Sequence, residues 1–103
     1  MRISASAMIL AVGALVVPFE ASANAFGQCA HHKNLDIKIA SCVEALKSTS
    51  YPWVLQWVYR ELARAHRERG EHQAAIANYA RSLAAHEREG VRREMEELAA
   101  LTQ

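Results

Sequence analysis

From residue 35 onward, apolar and polar positions recur with the period of an α-helix. Leu35, Ile39, Cys42, Val43 and Leu46 fall at i, i+4, i+7, i+8 and i+11, the stripe of an amphipathic helix, and predict a first helix over residues 35–47. Ser48-Thr49-Ser50 breaks the stripe, and Pro52 suits an early helical position, where its missing N–H would have no partner anyway; a second helix is predicted over 52–69. Gly70 follows a charged last turn, where cations favour the negative helix end and glycine tolerates a left-handed exit. A third helix is predicted over 71–87, stopped in the same way by Gly90. Val91, Met95, Leu98 and Thr102 then continue a stripe, giving a fourth helix over 91–101. No alternating run of β-branched residues is long enough for a strand, so the class is all-α, a short array of about four antiparallel helices.

The first quarter of the chain reads differently. Met1 and Arg2 form a short positive start, residues 7–17 are an apolar run ended by Pro18, and Ala21-Ser22-Ala23 offers the small residues that a signal peptidase reads. This predicts a secretory signal over 1–23 cleaved after Ala23, with cleavage after Ala25 nearly as good. The apolar run is about a dozen residues where a spanning helix needs roughly 20, so no stable membrane span is expected after cleavage. The remainder divides into an extended segment over 24–34, tethered by a disulfide, and a helical domain over 35–103.

Charge adds little. Twelve Lys and Arg stand against 11 Asp and Glu, and loss of Arg2 and Glu20 with the leader preserves the balance. No basic patch of the kind that marks a nucleic-acid binder is present. A mature protein of this size is marginally stable as a lone domain and needs a staple. Cys29 and Cys42, the only cysteines, follow an export signal, the setting in which disulfides form and last, and are read as one intrachain bridge. Their spacing matches neither a Cys-x-x-Cys redox centre nor a c-type haem motif. A metal site from Cys29, His31, His32 and Cys42 has suitable ligand types but lacks the usual spacings.

Within the second and third helices, Tyr59, Leu62, Ala63, His66, Gly70, Ala75, Tyr79 and Ser82 follow a recognisable order: aromatic, Leu, small, ring, Gly, Ala, aromatic, small. This spacing resembles the tetratricopeptide repeat, a helix-turn-helix unit. Residues 38–46 lie over residues 75–83 with matches at Ile, Ala and Leu, an offset of 37 that the Ser/Thr loop absorbs. The resemblance implies half a repeat, one full repeat and a capping helix, and is similar to short exported proteins of this type in Gram-negative envelopes. Departures are His66 for the usual Tyr, Ser82 for Ala, Glu87 for the closing Pro, and Arg93 where a further repeat would begin with an aromatic residue.

What the resemblance implies about function is a non-catalytic protein–protein interaction module, periplasmic or secreted, that holds a peptide or protein segment in a helical groove. Carried onto this sequence, the groove positions are Trp57, Arg60, Arg64 and Arg67, with Glu68 at the edge. Three guanidinium groups on one helix face suit an acidic segment or a terminal carboxylate, because Arg can grip a carboxylate with two parallel hydrogen bonds. The plainer reading of the same residues is a solvated face with Arg64–Glu68 and Arg67–Glu71 pairs at i, i+4. Trp53 is expected to pack on the first helix beneath the Ser/Thr loop, while Trp57 reads equally as anchor or core. The five histidines, His31, His32, His66, His72 and His86, assemble no catalytic set, and no Gly-rich phosphate loop exists, so neither enzyme nor cofactor is expected. A metal-binding envelope protein and a self-associating structural protein remain the alternatives.

Overall fold

The computed structural model describes residues 24–102, and these contain five α-helices and no strand. They are α1 (residues 24–31), α2 (Leu35–Leu46), α3 (Pro52–Glu68), α4 (His72–Ala85) and α5 (Glu89–Leu101). The leader expected over 1–23, and with it the cleavage after Ala23, lies outside the described residues.

Each boundary has a local cause. Asn34 caps α2, its Oδ1 accepting from the Ile37 N–H at 3.1 Å. Pro52 occupies the first turn of α3. Gly70 leaves α3 with φ of 78°, a left-handed conformation in which a Cβ would be strained. Two boundaries differ from the sequence expectation. Helix α4 ends at Ala85, with His86 and Arg88 extended, and Gly90 lies inside α5 instead of before it. A two-pronged pair from Arg92 to Glu87, at 2.9 and 2.7 Å, bridges that connection.

The larger correction concerns residues 24–34. Residues 24–31 are helical, where an extended segment was expected. An eight-residue helix containing Gly27 is too short to persist alone, so tertiary contacts must hold it. Three do so. The Cys29–Cys42 disulfide joins it to α2. Ser41 Oγ donates to Gln28 Oε1 at 2.7 Å. The Lys38 ammonium donates to the carbonyls of Cys29 and Ala30, placing a cation on the negative end of α1.

Consecutive helices pack on one another, with α3 at the centre of the array. One core cluster gathers Ala25, Cys29, Cys42, Ala45, Val58 and Leu62, with Trp57 packed against it; the other gathers Ala63, Ala75, Tyr79, Val91 and Leu98. Because α3 supplies residues to both clusters, its free surface is fixed from two sides. Fully buried Ala63, Ala65 and Ala75 on α3 and α4 leave room for close approach of the two helices.

Candidate functional site

Helix α3 carries the groove residues expected from the sequence, and the structure distributes them unequally. Arg64 is held in a two-pronged pair with Glu94 of α5, Nε to Oε1 at 2.9 Å and Nη2 to Oε2 at 2.6 Å. The pair holds the Arg64 guanidinium above its ordinary pKa and the Glu94 carboxyl below its own, chiefly through that hydrogen bonding. Glu94 also accepts from the Tyr79 hydroxyl at 3.0 Å, while burial pushes the Tyr79 phenol up. On its other side, Arg64 lies 3.5 Å from Glu61, which takes the Lys38 ammonium at 3.2 Å.

A polar network therefore runs through every helix. It starts at the carbonyls of Cys29 and Ala30 in α1, passes Lys38 in α2, Glu61 and Arg64 in α3 and Glu94 in α5, and ends on Tyr79 in α4. Lys38 is buried and its partner Glu61 nearly so, so removing either one would strand the other charge away from water, a larger loss than at a surface pair. The network fixes how α3 is presented. It also occupies Arg64, so that side chain is a strut between helices, and the i, i+4 pairing with Glu68 does not form. Nor does Arg67 pair with Glu71. The Glu71 carboxylate instead meets His66 Nδ1 at 2.7 Å and Arg69 at 3.2 Å. The His66 contact holds the Glu71 carboxyl below its usual range.

Arg60 is placed differently. Its nearest carboxylate oxygen is Oε2 of Glu61 at 3.9 Å, and its Nε is buried without a hydrogen-bond partner. Burial lowers its pKa, as does the repulsion of Arg64 and, less, of Arg88, against the opposing pull of Glu61. Arg67 stays exposed. Trp57 is half-buried against the first core cluster.

Trp53 corrects the sequence expectation outright: it is 65% exposed, facing water instead of packing beneath the Ser/Thr loop. Tyr51, just before α3, is 66% exposed. Of the residues assigned to packing, Leu62, Ala63, Ala75, Tyr79 and Ser82 are buried, while Tyr59 and His66 are half-buried. Ser82 has a specific task, its hydroxyl donating to the Gln56 carbonyl at 2.7 Å and tying α4 to α3.

The cysteine sulfurs are bonded to each other, which removes both as thiolate ligands, and no cluster of three or more His, Cys, Asp or Glu gathers among the described residues. Gln56, Lys38, Glu61 and Glu94 all belong to the site and none stood out in the sequence. Their partners lie on other helices, so no local spacing marks them.

Compared with family models, with curated proteins and with solved structures, the sequence finds no match.

Proposed function

We infer that this protein is a non-catalytic interaction module of tetratricopeptide-like design, exported to the periplasm or cell envelope, that binds a peptide or protein segment along α3. The observation that carries this reading is the pair of aromatic side chains at the start of that helix, Tyr51 and Trp53, each two-thirds in water. Exposed aromatic residues are costly in solvent and enriched at interface hot spots. Half-buried Trp57 lies one turn beyond Trp53, and Arg60 and Arg67 follow on the same helix, so an apolar anchor is continued by positive charge. A segment pairing an apolar residue with an acidic group fits that order. The disulfide suits an oxidising compartment, and no described helix is long and apolar enough to cross a membrane.

Peptide-display selection on the oxidised protein tests the reading. Enriched peptides combining an apolar and an acidic residue are expected, with enrichment lost in Trp53→Ala at unchanged helicity. Absence of enrichment, or enrichment indifferent to that substitution, counts against it.

A second reading, self-association, is favoured by a shallow groove between α4 and α5. Ala80, Leu83, Ala84 and Met95 line it, with Glu87 and Arg92 at its edge, and Leu101 is exposed nearby in sequence at the end of α5. Sedimentation at several concentrations separates the two: a monomer at all of them removes this second reading.

A further inference from the structure

Two uncovered features of this molecule match each other. The first is an aromatic knob. Tyr51 and Trp53 stand in water at the start of α3, and no charged residue lies between Lys47 and Arg60. Pro52 between the two rings fixes the backbone of the first helical turn, which sets their position. The second is an apolar groove. Helix α5 packs chiefly on α4, and along the seam between them the exposed Ala80 and Ala84 are too small to fill the space beside Leu83 and Met95. The hollow measures about 370 Å³, at the small end of the roughly 300–1,000 Å³ of ligand clefts and on the scale of one large side chain. Within one molecule both features stay open.

Charge follows the same order on the two surfaces. Half-buried Arg60 and exposed Arg67 come after Trp53 at successive steps of seven, on one face of α3. On α5, Arg92 is taken by Glu87 and Arg93 lies 3.8 Å from Glu89, while Glu96 and Glu97 follow Met95 into solvent. An aromatic continued by cations thus finds its complement in an apolar hollow continued by carboxylates.

We propose that the partner of α3 is a second copy of this chain, with Trp53 of one copy seated in the groove between α4 and α5 of the next. The proposal rests on the self-association reading and names the residue and the surface through which copies meet. Unlike patches meet in such a contact, so each copy offers one knob and one groove. Two rings and a hollow of this size bury less than the roughly 1,200 Å² of stable complexes, so association is reversible and rises with concentration.

Sedimentation and tryptophan fluorescence of the oxidised protein test this. In Trp57→Phe protein, Trp53 is the only tryptophan. Its emission should move to the blue and its acrylamide quenching should fall as concentration is raised, in step with the average mass. Trp53→Ala and Ala84→Arg should each weaken association on the order of tenfold or more, the scale of a hot-spot residue. Ala80→Arg repeats the groove change at a second position, and circular dichroism checks that each variant is folded. Mixing Trp53→Ala with Ala84→Arg should restore association, because the first keeps its groove and the second keeps its Trp53. The proposal is overturned by a mixture that stays monomeric, by undiminished association in the folded variants, or by wild-type protein that is monomeric at every concentration. Association that persists without Trp53 removes the knob and leaves the self-association reading standing, whereas a monomer throughout removes both. A monomer whose Trp53 becomes covered on adding a display-selected peptide, or phosphatidylglycerol vesicles, gives this surface to a peptide or to lipid and overturns the proposal as well.

Discussion

Replacing both cysteines by alanine should remove a large part of the stability of this domain. Cys29 and Cys42 are separated by 13 residues, and closing a loop of that size restricts the unfolded protein by about 3 kcal/mol in the entropy account. The native side adds to this. Helix α1 is too short to survive unattached, and it supplies the two carbonyls that receive the buried Lys38 ammonium. Without the tether, α1 frays and Lys38 keeps only Glu61. Small domains have net stabilities of roughly 5 kcal/mol or a little more, so about 3 kcal/mol is around half of the total. For a domain of this size each kcal/mol moves the melting temperature by roughly 4–8 °C, which places the variant ~12–24 °C lower. Urea unfolding followed by far-UV circular dichroism, for oxidised protein, reduced protein and Cys29→Ala/Cys42→Ala, measures the difference. Reduced protein and variant should agree, with lost protection of the α1 amides in hydrogen exchange. A loss under about 0.5 kcal/mol, far below what loop closure predicts, would refute the reasoning and show that packing of α1 alone secures it.

Other predictions test the frame and its free surface separately. The Glu94 carboxyl is held below its ordinary pKa by Arg64, so its contribution to stability is complete above the unfolded value of about 4.3 and lost as pH falls through the lower folded value. Glu94→Gln should cost on the order of 1 kcal/mol at neutral pH, given that Arg64 is partly exposed, and should flatten the acid limb of a melting-temperature profile. Unchanged acid sensitivity would mean that other carboxyls control that limb. Gly70→Ala places a Cβ at φ of 78°, so about 1 kcal/mol of destabilisation is expected in urea titrations; a neutral or stabilising effect would show that the exit from α3 relaxes. Trp53→Ala should leave the melting temperature within a degree or so of wild type, since an exposed side chain supports no core. A substantial loss would place Trp53 inside the fold.

Much of the helical frame was legible because its signals are local. The stripe from Leu35 to Leu46 marked α2, Pro52 and Gly70 bracketed α3, and the two cysteines marked the staple. Asn34 immediately before the first stripe is likewise a local capping signal, and its side chain closes the start of α2. Helix α1 was not legible, because eight residues with a glycine have no propensity to overcome the cost of nucleation and depend on Lys38, Ser41 and Cys42. Within the site, the stripe of arginines on α3 was visible but their assignments were not. Arg64 finds Glu94 thirty positions away, so a pairing scheme limited to i, i+4 sends it to the wrong carboxylate. Gln56 gave no warning of being buried, since a polar residue between Leu55 and Trp57 reads as a solvent position until α4 is laid over it by Ser82.

The most direct test of binding along α3 follows Trp53 fluorescence in Trp57→Phe protein, where it is the only tryptophan, while a display-selected peptide is added. The expected result is a saturable blue shift with reduced acrylamide quenching, as a ring now two-thirds in water becomes covered. Emission that stays red and fully quenchable while the peptide is demonstrably bound would contradict this and move the binding surface off α3.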